Sequence, residues 1–383
     1  VDAPLPIPRY GEASLSDVMP SVLAALDAGG DNRLGLAPAQ RVVVLLVDGL
    51  GLLSMREHAG AAPYLSSLDC TELTVGFPTT TSTSLASLST GVPPGQHGFT
   101  GYTTYDAEVG DAVNWLAWRP VSRKDDLRDR LVPEVVQPLP TAWERAADAG
   151  ISVTVASSAQ FEGTGLTRAV FRGGRFRGVT TSGDAIAIAA DASDHGHRSL
   201  VYAYISELDF IGHVRGAGSD AWAAQLALVD RQVELLAHRL PAGTRLLVTA
   251  DHGMADLPAD AAVDADAEGS PLRDGVVALA GEPRMRHVHC APGAISDVLD
   301  TWREELGDRA WVLTGDDAVA AGLFGPVVIP AARRKIGDVL AISRGDLGVV
   351  QRRRESRLST MPGHHGSLTD RELLVPLLSA SLT

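Results

Sequence analysis

Apolar and polar positions alternate along this chain in two distinct rhythms. From Ser14 to about Ala28, Leu15, Val18, Val22, Leu23 and Leu26 recur at helical spacing behind Ser and Asp capping candidates, with Pro20 placed for a first turn. The unbroken β-branched run Arg41–Val47 then predicts a strand buried on both faces, and it ends in Asp48-Gly49. Comparable apolar runs return at Ile151–Ala156, at Ser199–Ser206 and at Arg245–Ala250, the last followed by Asp251-His252-Gly253. Helical patterns fall between and after them, at Ser84–Ser89, Thr141–Ala149, Ser219–Leu240 and Ile295–Leu306. Strands alternating with helices predict an α/β fold, a doubly wound and mostly parallel sheet sandwiched by helices.

Two stretches break the rhythm. Residues 103–140 carry Trp115, Trp118, several charges and three prolines, and read as an excursion over the sheet edge. Residues 275–360 read as a small inserted β-rich subdomain, with Val327–Ile329 and Val339–Ile342 as short strands. The expected organisation is an N-terminal extension and helix over 1–40, a core over 41–274, the insertion over 275–360, and a return to the core over 361–383. Residues 1–13 are Pro-rich and expected to be extended.

Composition narrows the function classes. The 383 residues are 45% hydrophobic and 21% charged, which is globular composition. A net charge of −14 disfavours a broad nucleic-acid-binding face, but leaves room for a phosphate substrate, because bound cations reverse the local sign. No apolar run is long enough to span a membrane. Cys70 and Cys290 do not make a disulfide scaffold. The start, Val1-Asp2-Ala3, lacks both Met and a signal-peptide pattern, so the chain reads as trimmed or processed. Acidic charge and few cysteines lean towards the cytoplasm, although a signal removed on export leaves no trace.

In an open α/β sheet, ligands bind beyond the carboxyl ends of the strands. Asp48 and the pair Asp251-His252 sit at such ends; Asp209 and His213 follow the Ser199–Ser206 strand at a spacing that puts both on one helical face. Pro362-Gly363-His364-His365-Gly366 adds one or two imidazoles. This mixed Asp and His inventory suits two divalent ions sharing a site, Zn²⁺ by donor chemistry, with Mn²⁺ an alternative. The hydroxyl-rich turn Gly76-Phe77-Pro78-Thr79-Thr80-Thr81-Ser82-Thr83-Ser84 opens a helix, whose N-terminus favours an anion. A Thr hydroxyl held there is a candidate nucleophile for phosphorus.

The ordered set Val47-Asp48-Gly49, Phe77-Pro78 with Thr81, Thr90-Gly91, His97-Gly98, Asp209 with His213, Asp251-His252-Gly253-Met254, and His365-Gly366 resembles the nucleotide pyrophosphatase/phosphodiesterase branch of the alkaline phosphatase superfamily, from about residue 42 to 370. The resemblance implies a bimetallic zinc hydrolase that cleaves phosphodiester or pyrophosphate bonds of small molecules such as nucleotides through a phospho-threonine. It implies Asp48, Asp251 and His252 as ligands of the ion that binds the nucleophile, and Asp209, His213 and His365 as ligands of the second. Thr81 matches the nucleophile and metal-binding hydroxyl, with Thr79, Thr80 and Thr83 as rivals; His364 is the rival of His365. Where the family has Asn three residues after the nucleophile, donating to a phosphoryl oxygen, this chain has Ser84. Substrate contacts are expected from Ser84, Phe77 and Tyr105, with Tyr102, Trp115, Trp118 and Phe161 as further aromatic candidates. The basic runs at 333–335 and 352–354 are candidates to meet phosphate, though such runs are more often solvated. Alternatives on the same frame are a phosphomonoesterase, a phosphonate hydrolase or a phosphopentomutase-like mutase. A metal-binding module without turnover is the non-enzymatic alternative.

Overall fold

The computed structural model describes residues 4–382. The first three residues of the Pro-rich start lie outside it; those from 4 to 9 have no regular structure. The strands that organise the molecule are β1 (Arg41–Val47), β2 (Asp69–Thr74), β3 (Ser152–Ser158), β4 (Arg175–Val179), β5 (Ser199–Ile205), β6 (Thr244–Thr249), β7 (Val276–Glu282), β8 (Met285–Cys290), β9 (Ala310–Thr314), β10 (Val339–Ser343) and β11 (Leu374–Ser381).

Seven of these form the central sheet in the order β2-β11-β6-β1-β5-β3-β4. β1 lies in its middle, parallel to β5 and β6, and every residue from Val42 to Val47 is buried. That double burial is why the sequence carries an uninterrupted Val/Leu run. β11 is antiparallel to both neighbours. The register pairs Val47 with Ile205 and Leu46 with Thr249, so the three strands end level. Asp48, the turn into Asp209, and Asp251 therefore leave the sheet at one edge.

Helices flank this sheet. Three matter for the site and its support: α1 (Thr81–Thr90), α2 (Glu207–Arg215) and α3 (Asp220–Arg239). α1 starts at N-cap Thr80 and ends where Gly91 takes φ of 73°, a conformation that favours glycine. The N-terminal helix is split into a short 3-10 turn, Leu15–Asp17, and an α-helix, Val18–Ala25.

The insertion forms a four-stranded antiparallel sheet, β7-β8-β10-β9. The Ile295–Leu306 helix covers it with Val298, Trp302 and Leu306, one per turn, in a second core that also holds Ala265, Leu272 and Val349. Val327–Ile329 is not a strand. It is an irregular segment in which Ile329 N–H donates to Gly95 O (2.9 Å) before Pro330 opens a helical turn. The 103–120 stretch is a small three-stranded sheet anchored on β7, where the Thr103 hydroxyl bonds both the N–H and the carbonyl of Gly281 at 2.8 Å.

Candidate active site

Six metal-type residues meet at the carboxyl edge of the central sheet in two clusters. Asp48, Asp251 and His252 form one; Asp209, His213 and His365 form the other. Within each, the ligand atoms lie within 4.8 Å of one another. The two clusters adjoin, because the His252 and His365 rings stack with centroids 3.6 Å apart.

The imidazoles are oriented from behind. The Nδ1–H groups of His213, His252 and His365 donate to the carbonyls of Gly363 (2.8 Å), Gly253 (3.1 Å) and Thr79 (2.9 Å). This fixes the tautomer and leaves each Nε2 with a free lone pair, the arrangement a metal-binding imidazole requires. Close backbone packing brings His213 there. A Cβ on Gly363 would sit 2.1 Å from Gly212 O, so α2 can rest against the 363–365 segment only with glycine at that point.

The carboxylates are correspondingly unsatisfied. Asp48 Oδ1, Asp209 Oδ1 and Asp251 Oδ2 are buried without a hydrogen bond. They face the lone-pair nitrogens instead: His252 Nε2 is 3.5 Å from Asp48 Oδ1 and 3.4 Å from Asp251 Oδ2, and His213 Nε2 is 3.4 Å from Asp209 Oδ1. Burial, reinforced by the charges of Asp251 and Asp209, pushes the Asp48 carboxyl well above its ordinary range. Burial also raises Asp209. Burial, then His252 and His213, hold the His365 imidazole well below its usual value, hence neutral. Acceptors facing acceptors in a buried space are stabilised by cations, so the donor set fits two divalent ions.

Thr81 is the first residue of α1, and its Oγ1 lies 3.2 Å from His252 Nε2. The first helical hydrogen bond runs from Ser84 N–H to Thr80 O (2.9 Å), so the N–H groups ahead of it have no carbonyl partner within the helix. They add positive potential at the hydroxyl. The rivals are placed otherwise. Thr79 is fully buried and bonded through its hydroxyl to Ser367 O (2.8 Å) and Gly366 N–H (3.0 Å). Thr83 is fully buried; Thr80 reaches the cavity beside Thr81 as the helix cap. His364 turns its Nε2 to Met361 O (2.9 Å) and is outside both clusters.

The geometry agrees with a match at the level of the whole sequence. Residues 42–368 fit the family model described as type I phosphodiesterase / nucleotide pyrophosphatase. The chain belongs to that family. The family and its two acid–imidazole clusters make it a metal-dependent phosphoester hydrolase.

Solved structures share the fold across most of the chain. Phosphonoacetate hydrolase from Sinorhizobium meliloti, in complex with phosphonoformate, has a TM-score of 0.66 at 18% identity, covering 89% of this chain and 90% of that one. Murine ectonucleotide pyrophosphatase / phosphodiesterase 5 has a TM-score of 0.68 at 15% identity, covering 88% and 87%. An inactive Thr-to-Ala form of the murine protein in complex with AMP has a TM-score of 0.68 at 14% identity and the same coverage. No curated protein sequence matches the chain.

A cavity of about 320 Å³ opens beside Thr81, lined also by Asp48, Asp209, His213 and His365. The three expected substrate contacts do not line it. Phe77 is fully buried and packs on Phe324, with ring centroids 5.3 Å apart, because it anchors the turn into the core. Ser84 is fully buried on the inner face of α1. Tyr105 points into a separate cleft, its ring 5.2 Å from His289, because it alternates with Thr104 on a strand whose other face is turned away. Trp115 and Trp118 are buried against each other and Phe99. The aromatic residues that reach the cavity are Tyr102, Phe161, Phe171, Tyr202 and Tyr204.

Phe171, Tyr202, Tyr204 and Glu282 line the cavity without having stood out in the sequence, and two of them touch the ligand residues. The Tyr204 hydroxyl donates to Asp48 Oδ2; its signal was alternation with Tyr202 along β5, which aims both one way. Glu282 ends β7, and its buried Oε1 has no hydrogen bond. Burial raises its carboxyl well above the usual range. A glutamate at the end of an apolar strand, followed by Arg284 and Arg286, was the available signal.

Proposed function

We propose that the protein hydrolyses phosphodiester bonds with Thr81 as nucleophile, at a site built to hold two divalent ions, by donor chemistry zinc. The observation that carries this reading is the hydroxyl of Thr81 at a helix N-terminus, 3.2 Å from one of two adjoining acid–imidazole clusters. The inactive Thr-to-Ala form of the murine relative supports the same choice of residue type.

Asp48, Asp251 and His252 would hold one ion, and Asp209, His213 and His365 the other. When bound, such a pair neutralises charge on the phosphoryl oxygens and lowers the pKa of a hydroxyl. The chain's own residues do the rest. Thr81 Oγ1 gives its proton to solvent and attacks phosphorus; a Thr81–O–P bond forms as the bond to the leaving oxygen breaks, and that oxygen departs with the electron pair and takes a proton from solvent. Water then attacks the same phosphorus, releasing Thr81 and the second product. The free N–H groups of α1 orient a phosphoryl oxygen before attack. Tyr204 holds Asp48, and the carbonyls of Gly253, Gly363 and Thr79 hold the three imidazoles, so little reorganisation is needed at the transition state. Ser84 is buried away from the cavity, so the contact that Asn makes elsewhere in the family falls to the helix backbone.

The test compares bis-(p-nitrophenyl) phosphate with p-nitrophenyl phosphate, for wild type and Thr81→Ala, with and without chelator. Diester preference, lost in both the variant and the chelated protein, is expected. Monoester preference would assign a phosphomonoesterase, and full activity of Thr81→Ala would remove Thr81 from the mechanism.

A further inference from the structure

A second cavity, of about 660 Å³, lies where the 103–140 excursion meets the insertion. One side is built from the 105–108 turn and the 131–136 segment, the other from Val277, His289 and Asp338. It shares no lining residue with the cavity beside Thr81. The basic run at 333–335 ends here: Arg333 pairs with Asp316 (2.7 Å) outside the cleft, whereas Arg334 and Lys335 line it. The other run is engaged elsewhere, with Arg354 paired to Asp111 (3.2 Å).

The polar groups of the cleft divide into engaged and free. The Lys335 ammonium donates to Gly98 O (2.8 Å) and lies 4.5 Å from the ring of buried Trp115. Among the described residues no carboxylate pairs with it. Burial pushes this ammonium down to about 8, so it is still charged at neutral pH. A cation partnered only by a carbonyl and a ring is stabilised by an incoming anion. Arg334 is exposed, and its guanidinium has no ion pair among the described residues. His289 Nε2 is buried without a hydrogen bond, and burial holds that imidazole down to about 4, hence neutral.

Three carboxylates share the cleft. Asp106 Oδ1 accepts from the N–H groups of Glu108 (3.0 Å) and Val109 (2.9 Å), and Asp338 Oδ2 accepts from Cys290 N–H (2.8 Å). Glu108 is exposed, and its carbonyl takes up Arg130. The free donors therefore suit one negative charge, while a dianion would meet repulsion from the carboxylates. Leu131, Val132, Val135 and Val136 add an apolar wall on the side that carries the Tyr105 ring.

We propose that this cleft is a second ligand site, separate from the catalytic cavity, that takes a small organic carboxylate. The carboxylate meets Lys335 and Arg334, and its aromatic or branched body packs against Tyr105 and the 131–136 wall. A ligand held there bridges the excursion and the insertion, so it should raise the melting temperature.

Calorimetric titration of the full chain with naphthoate, zinc-loaded and chelated, tests this. Equal affinity in the two forms is expected. Lys335→Met should weaken binding at least about tenfold, the scale of a hydrogen bond to a charged group. Arg334→Gln and Val135→Glu change exposed positions, Val135 being 74% exposed, and keep the test valid if Lys335→Met does not fold. Each should weaken binding about threefold, as suits a partly solvated charge. Naphthyl phosphate and naphthylmethylamine should bind the chelated chain less tightly than naphthoate. Binding lost on chelation would place the probe at the acid–imidazole clusters and overturn the site. So would affinity unmoved by both Arg334→Gln and Val135→Glu, tighter binding of the phosphate or the amine, or no measurable binding of naphthoate.

Discussion

His365 donates from Nδ1 to the carbonyl of Thr79 at 2.9 Å, two residues before the candidate nucleophile. The Thr79 hydroxyl returns the contact, bonding Ser367 O and Gly366 N–H. One threonine therefore ties the turn that presents Thr81 to the loop that presents a ligand of the second cluster. Thr79→Val keeps the shape but leaves two buried backbone groups without partners, and should cost about 2–4 kcal/mol. Urea unfolding measures the loss. Zinc titration should show weaker binding at the cluster that holds His365, and Thr79→Ser should restore it.

The purified chain should bind two divalent ions, one for each cluster. Elemental analysis after equilibrium dialysis checks the number. His213→Ala removes a ligand from one cluster only, and should reduce the count to one while leaving the fold intact by circular dichroism. Because burial raises Asp48 and Asp209 in the absence of cations, ion binding should also raise the melting temperature.

Arg284 and Glu372 form an ion pair with both side chains fully buried, at 2.7 and 3.1 Å. Glu372 also accepts from Ser367 N–H (3.1 Å), so the pair supports the loop after His365 from inside the insertion. Arg284→Met strands a buried carboxylate and should cost about 3–5 kcal/mol. The double variant Arg284→Met with Glu372→Leu should recover part of that loss, because the buried charge is gone while Ser367 N–H and Leu347 O lose their partners. Chemical denaturation of the single and double variants distinguishes the two.

Acid should destabilise the protein through imidazoles remote from the ligands. His97 and His287 are each held down to about 3, chiefly by burial. The geometry agrees. In His97, Nδ1 accepts from Phe99 N–H (3.2 Å) while Nε2 bonds the Ser87 hydroxyl (2.9 Å). In His287, Nδ1 accepts from Gly337 N–H (3.1 Å) while Nε2 donates to Thr100 O (2.7 Å). A folded-state value below that of the unfolded chain means that the unfolded state takes up the proton. Stability is full above about pH 6.5 and falls between there and about pH 3, by roughly 1.4 kcal/mol per pH unit for each such group. His287→Gln should flatten this slope in urea melts at pH 4–6.

Much of the site was legible because function concentrates at strand ends. Asp48 and Asp251-His252 stand out at the close of apolar runs, and the spacing of Asp209 and His213 is one helical turn. Three core strands were not legible. β2 and β4 are edge strands with exposed polar positions, so neither shows a continuous apolar run. β11 contains Pro376, which argues against an inner strand. The structure resolves this: β6 pairs with β11 only from Leu378 onward, so no hydrogen bond is asked of Pro376 on that side. Substrate contacts were the least legible, since whether an aromatic such as Phe77 or Phe161 faces core or cavity depends on packing from distant segments. Glu282 was hidden for the same reason, as the insertion brings it to His365, its Oε2 3.4 Å from Nδ1.

The stereochemistry of hydrolysis at a P-chiral phosphorothioate diester in isotopically labelled water tests the central claim most directly. Two successive in-line displacements, first by Thr81 and then by water, predict net retention at phosphorus. Net inversion would mean that water attacks directly, and would contradict a covalent Thr81 intermediate.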